Sequence, residues 1–501
     1  VAEILFEGGT VIDGTGAPPR SGNLLISGET IAEVGSFEAP AHARVIRCKG
    51  LAVTPGFIDS HSHSDLQVLE NRREKVAQGV TAEVVGNCGF SPYPAPVELK
   101  LLHDFANGIF CCDQDWGWPT AKAYLDRTEQ SVATAVFSLV GHGTLRIACA
   151  GNRLGPLAEP ELDWMEHTLS ESLQQGASGL STGLMYAPGA SAPFEELERL
   201  CRVVARHGKI YTTHMRDYGD RLAEAVDEQL ELTRRTGCRL QISHLQAVGP
   251  RNWGKQRAVL DKIENAAANG IDVGFDCYPY TRGSTVLTQL LPQWALEGGI
   301  DGLLTRLADR AARARIATQT EEELTQGWTG ILISSVESIS NQGLIGKSIA
   351  AIAGDRVREP VETVLDLIEE ERGRVNMLEL NQSEINLRET LTHRLSCVTS
   401  DGFYVKGRPH PRLYGTFPFL LGEISRERRW LTIAEAVCKV TDKPALRFGI
   451  AKRGRLEKGY FADVVVFDPE RINSPSTYEN PELAPNGIRY VFRNGCETNL
   501  S

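Results

Sequence analysis

The sequence predicts an α/β protein: a (β/α)8 barrel whose two chain ends form a separate β unit. Three observations predict it. Eight short apolar runs recur along the middle of the chain, each followed by a helix-like stretch, and strands alternating with helices imply a parallel sheet. Both ends alternate apolar and polar residues between glycine turns. The gap before the last apolar run is too long for one helix, so it needs structure of its own.

The N-terminal strands are "ILFEGGTVIDG", "NLLISGETIAEVG" and "RVIRCKGLAVTPG", where period-two alternation predicts half-buried strands. The eight barrel runs are "AVTPGFIDSH", "VTAEVVGN", "TAVFSLVGH", "SGLSTGLM", "KIYTTHM", "RLQISHL", "DVGFDCYP" and "LSCVTSDG", and eight such units suggest a closed barrel. From about Thr285 to about Arg394 the chain carries "TGILISS" and "EPVETVLDLIEEE", which predicts an inserted subdomain acting as a lid. "GRLEKGYFADVVVFD" and "IRYVFRNG" then return to strands with Gly or Asn-Gly turns. The expected division is residues 1–54 with 449–501 as a small β domain, 55–448 as the barrel, and 286–390 as the insert between strands seven and eight.

A chain of 501 residues with 42% hydrophobic residues can bury a large core. Its formal net charge of −11 argues against a general nucleic-acid or anionic-membrane surface. No apolar run reaches spanning length, and "VAEILFEGGTVIDG" lacks the basic and apolar regions of a secretory signal. The 11 cysteines are scattered and odd in number, which suits free thiols in a reducing compartment. A soluble, cytoplasmic protein is expected.

In a parallel barrel the functional site forms at the C-terminal ends of the strands. Polar residues gather at those ends. Strand one finishes on His61 and His63, which share a face at i and i+2. Strand two runs into Asn87 and Cys88, strand three ends at His142, strand five at His214, strand six at His244 and strand eight at Asp401. Imidazole, thiolate and carboxylate are the ligands of zinc-class metals, and their common placement on different strands points to a metal site.

"PGFIDSHSH", "GNCGFSP", "THMRD", "ISHL", "DCYPY" and "SDG…HPRLYGTFP" closely resemble the N-acyl-D-amino-acid deacylases (D-aminoacylases) of the amidohydrolase superfamily. The likeness spans nearly the whole chain and is weakest in the insert. The paired histidines mark only the superfamily. The Asn-Cys-Gly after strand two is more specific, because most relatives bridge two metals with a carboxylated lysine from strand four, and "GLSTGLMY" here has no lysine. The resemblance implies a distorted (β/α)8 TIM barrel with a small β-sandwich domain built from both termini. It also implies a tight zinc site at Cys88, His214 and His244, a weaker second site using His61 and His63 near Cys88, and Asp401 as the catalytic carboxylate.

Zinc would polarise an amide carbonyl and make hydroxide available near neutral pH. Asp401 would take the water proton and return it to the leaving nitrogen, and Tyr186 would add a hydrogen bond to the oxyanion. The expected substrate is a small N-acyl amino acid, whose carboxylate suits the guanidinium fork of Arg412; by resemblance Tyr278 and Ser284 join it. One departure stands out. Well-known members carry a lysine two residues after the strand-six histidine, where this chain has Gln246, so the pocket loses a positive charge. Arg282, Arg251 and Lys255 are nearby in sequence.

Other features have plainer expectations. Cys111-Cys112 in "GIFCCDQDWGW" is a loop or lid segment, Cys277 is core filling, and His142, Asp59 and His410 are each divided between a role near the site and a structural one. Two alternative functions stay open: hydrolysis of another amide (a hydantoin, dihydroorotate or dipeptide), and a non-catalytic barrel.

Overall fold

The computed structural model describes residues 3–38, 40–70, 72–112, 115–130 and 133–498. Its centre is an eight-stranded parallel sheet. We number these strands β1 (Phe57–Asp59), β2 (Val80–Val85), β3 (Ala135–Gly141), β4 (Gly179–Gly183), β5 (Ile210–His214), β6 (Arg239–Ile242), β7 (Val273–Cys277) and β8 (Ser396–Val398). They follow one another in order around the sheet, each parallel to the next. Strands β1 and β8 have three residues each and meet only beyond their ends. There Ser62 bridges Gly402, His63 N donates to Gly402 O at 3.0 Å, and Asp401 N donates to His61 O at 2.8 Å. The barrel is therefore distorted at its seam, and the seam carries three of the expected site residues.

Helices cover the outside. Phe194–Arg206 shows why: Leu197, Leu200, Cys201 and Val204 are buried at helical spacing. Glu195 and Glu196 occupy its first turn and Arg206 its last, matching the helix dipole. These faces pack on Val140, Leu180, Tyr211, Leu240 and Phe275 from the strands. Burying each such side chain contributes roughly 1.5–3 kcal/mol.

Both chain ends form one further eight-stranded sheet. Glu3–Val11 pairs with Arg20–Ser27 along one edge; on the other, its first half takes Arg44–Arg47 and its second half Ala52–Pro55. Ala52–Pro55 continues antiparallel to Val464–Phe467. In Val464–Phe467 the alternation has two destinations. Val464 and Val466 join a core with Phe6, Leu24 and Ile26, whereas Val465 and Phe467 pack with Phe57 and Val80 of the barrel. The chain crosses between the two sheets at Gly56, where a Cβ would stand 2.1 Å from Thr81 Oγ1.

Between β7 and β8 a three-stranded antiparallel sheet, ordered Arg282–Val286, Asn376–Leu380, Ile331–Ser335, packs with its helices around Leu287, Leu303, Ile333 and Leu365. Among the described residues no helix is long and apolar enough to cross a membrane. Asp113 and Gln114 of the Cys111-Cys112 stretch lie outside the described residues.

Candidate metal centre and active site

The loop after β2 shapes the site. Gly86 has φ +79°, and a Cβ there would meet Leu139 O at 2.2 Å. The turn thus presses against β3 and projects Cys88 inward. Asn87 braces it, donating to Val84 O at 2.9 Å. Cys88, His244 and Asp401 all have positive φ, at 52°, 35° and 49°, a conformation uncommon outside glycine. Such backbone costs of order 1–3 kcal/mol per residue and clusters at functional sites.

Three groups of donors converge: Cys88 with His214 and His244, Cys88 with His61 and His63, and His61 with His244 and Asp401, the donor atoms in each group within 4.8 Å of one another. Cys88 Sγ lies 3.3 Å from His61 Nε2 and 3.5 Å from His244 Nε2. Tetrahedral zinc, with Zn–S about 2.3 Å and Zn–N about 2.0 Å, requires S···N edges of about 3.5 Å. Both ring nitrogens of His214 and Nδ1 of His63 and of His244 are buried without a hydrogen-bond partner among the described residues. Orphaned buried nitrogens are costly, and burial pushes the His214 pKa down to about 3, leaving it a neutral ligand. The donor set fits zinc.

Asp401 joins these groups to the substrate side. Its Oδ1 is 3.3 Å from His61 Nε2 and 3.3 Å from His63 Nε2, and its Oδ2 is 3.0 Å from Arg412 Nη2. Burial opposes its charge, but Arg412, His61 and His63 outweigh that and hold its pKa well below the usual carboxylate range. Arg412 is 1% exposed. Its guanidinium carbon lies 4.6 Å from the Tyr278 ring centre, and His410 Nδ1 accepts from its backbone N at 3.0 Å.

The other expected residues surround one cavity of about 510 Å³ lined by His63, Cys88, Tyr186, His214, His244, Gln246, Tyr278, Ser284, Asp401 and Arg412. Tyr278 Oη donates to Gln246 Oε1 at 3.1 Å. Tyr186 Oη is 3.1 Å from Thr285 Oγ1, and burial raises its pKa well above a free phenol, so it stays a proton donor. Ser284 meets Arg412 through its carbonyl, which accepts from Nη2 at 3.4 Å.

The remaining residues are structural in their contacts. His142 binds Glu196 at 2.7 Å. Asp59 is ion-paired to Lys75 and accepts from Thr399 Oγ1 and Ser400 N, holding the turn before Asp401. Cys277 is buried in β7. Arg251 pairs with Asp220, Lys255 binds the carbonyls of Gly219 and Asp220, and Arg282 binds Gly330 O; none of these three lines the cavity.

Two residues went unassigned in the sequence. Asp276, near the end of β7, lies 3.3 Å from His61 Nδ1 and accepts from His244 N at 2.7 Å, restraining the His61 ring and the His244 backbone at once. An aspartate inside the apolar run "DVGFDCYP" was the available signal. Glu379 lines the cavity from the insert, and nothing in its local pattern distinguishes it.

The model of the amidohydrolase family matches residues 44–497. The chain is 36% identical to an N-acyl-D-glutamate deacylase of Alcaligenes xylosoxydans xylosoxydans, over 99% of this chain and 93% of that protein. It is 35% identical to a D-aminoacylase of the same organism, over 99% and 94%. Among solved structures, the N-acyl-D-glutamate deacylase of Bordetella bronchiseptica, complexed with zinc and a phosphonate mimic of the tetrahedral intermediate, superposes with a TM-score of 0.83 at 34% identity, covering 99% of this chain and 96% of that one. By its near-complete match to the family model and to these relatives, the chain belongs to the amidohydrolase family, in its D-aminoacylase branch, and is a metal-dependent amidohydrolase.

Proposed function

We propose that the protein hydrolyses N-acyl-D-amino acids to a carboxylic acid and a free D-amino acid, with zinc held by Cys88, His214 and His244. His61 and His63 would form the weaker second site. The observation that carries this is the position of Asp401, whose two oxygens face the metal-side histidines and Arg412 respectively. Bound zinc supplies Lewis acidity and hydroxide near neutral pH.

The chain's own residues supply the rest. Arg412 Nη1 and Nε have no hydrogen-bond partner among the described residues, so the guanidinium retains charged N–H donors for the substrate carboxylate. Tyr278, Ser284 and Gln246 line the same region. A carboxylate arriving there competes with Asp401 for Arg412, which weakens the ion pair that depresses Asp401 and restores its basicity. Asp401 then accepts the water proton at Oδ1 and delivers it to the departing nitrogen. Tyr186 donates to the oxygen that becomes negative. Handedness rests on the relatives' activities.

Initial rates on N-acetyl-D-, N-acetyl-L- and cyclic amides test this. Cleavage of the D compounds is expected; turnover of the cyclic amides alone would defeat it. The same proposal divides the chain into a terminal β domain (1–54, 449–501), a barrel (55–448) and a lid (286–390), supported by the separate cores of the terminal sheet and the insert. A cytoplasmic setting is supported by the free buried thiols of Cys48, Cys201, Cys238, Cys277 and Cys397, and cell fractionation checks it.

A further inference from the structure

The roof of the cavity is one face of the three-stranded sheet in the insert. Residues of like parity on Asn376–Leu380 and just beyond, Met377, Glu379 and Asn381, face inward. Glu379 pairs across the sheet with Gly283. The missing side chain of Gly283 makes room for Asn381 and Tyr278: a Cβ would come 2.2 Å from Asn381 Nδ2 and 3.1 Å from Tyr278 Oη. Glu379 thus lines the same cavity as Tyr278 and Arg412.

This carboxyl has no counter-ion. Its Oε2 accepts from Gln326 Nε2, a neutral donor, at 2.7 Å, and no cationic side chain forms an ion pair with it among the described residues. Burial pushes its pKa up to about 7, with only partial relief from the Asn381 side chain and from Arg412. The basic lining residues are Arg221 and Arg412, and Arg412 is already bound to Asp401. Gln246 adds no charge. The cavity is thus built to receive a cation near Glu379.

Resting on the deacylase function above, we propose that Glu379 selects substrates whose amino-acid side chain ends in a cation, such as the N-acyl derivatives of lysine, ornithine and arginine. The side-chain ammonium or guanidinium pairs with Glu379 at the roof while Arg412 takes the α-carboxylate. An apolar side chain of equal length would leave Glu379 desolvated and unpaired. An acidic one would set carboxylate against carboxylate.

The test compares kcat/KM of the zinc-loaded enzyme for N-acetyl-D-lysine, N-acetyl-D-norleucine and N-acetyl-D-glutamate. The wild type is expected to favour lysine over norleucine by about tenfold or more, and Glu379→Gln to bring that ratio toward one. Equal or better use of norleucine or glutamate by the wild type, or a ratio unmoved by Glu379→Gln, would overturn the proposal. If none of the three is hydrolysed, the deacylase function fails, and calorimetric binding decides the role of Glu379 by itself. Tighter binding of the lysine compound, lost in Glu379→Gln, supports it, and equal or weaker binding overturns it.

Discussion

Arg412 gives Asp401 one arm of its guanidinium, Nη2 at 3.0 Å from Oδ2, and keeps Nη1 and Nε without a partner among the described residues. One buried cation thus pairs with Asp401, the proposed proton acceptor, and retains donors suited to the proposed substrate carboxylate. The two duties can be separated. Arg412→Lys keeps a point charge but loses the fork. It should lower kcat/KM by roughly 10–100-fold for an N-acetyl amino acid, and much less for the corresponding amino-acid amide. Equal losses on both substrates would mean that Arg412 acts only through Asp401.

Asp401→Asn removes the proton acceptor while keeping size and hydrogen bonding. Turnover should fall by about 10²–10⁴-fold, with zinc content by metal analysis unchanged. An active variant would remove Asp401 from proton transfer.

Asp276 touches the His61 ring and the His244 backbone with the same oxygen. Asp276→Asn weakens both restraints by removing the negative charge. Zinc affinity should drop by about 10–100-fold, measured by chelator competition. An unchanged affinity would make Asp276 a purely structural residue.

Lys75 is fully buried, 2.5 Å from Asp59, 2.9 Å from Ser400 Oγ and 3.6 Å from Glu83. Lys75→Met leaves Asp59 without its counter-ion, while Glu83 keeps Arg72. The expected loss is about 3–5 kcal/mol of stability, read from urea unfolding. Because Asp59 also holds the turn before Asp401, activity should decline in the folded fraction as well.

Glu379 links stability to pH. Its pKa rises from the ordinary 4.5 to about 7 on folding. Between those values the folded state holds a proton that the unfolded state lacks, so stability falls as pH rises through this window. Glu379→Gln should flatten that part of the profile of Tm against pH; a parallel profile would contradict the shift.

The sequence made the barrel legible because eight apolar runs alternate with helix-like stretches, and six of them end in a chemically distinctive residue. His61 and His63 show both the strength and the limit of that logic. Their i, i+2 spacing announced a shared direction, yet strand β1 stops at Asp59, and both rings sit in the seam held by Gly402 and Asp401. Asp276 was hidden because a buried acid in an apolar run reads the same whether it orients a ligand or not. Glu379 was hidden more deeply. Its place depends on the register between Asn376–Leu380 and Arg282–Val286, two segments far apart in the chain, and period-two alternation does not encode which strands pair. Tyr278 and Gln246 were expected near the substrate, but the hydrogen bond between them depends on side-chain direction, which spacing does not convey.

The pairing of Ala52–Pro55 with Val464–Phe467 has a kinetic consequence. Thr54 Oγ1 reaches the carbonyl of Val465, 411 positions later. On the ribosome the first strands must therefore wait for most of the polypeptide to emerge before finding these partners. Until then Phe57 and Val80 lack the cover of Val465 and Phe467, exposing an oily floor beneath a nearly finished barrel. Such long-range closure makes for slow maturation and an aggregation-prone intermediate, so the yield of this protein should depend on chaperone supply during synthesis.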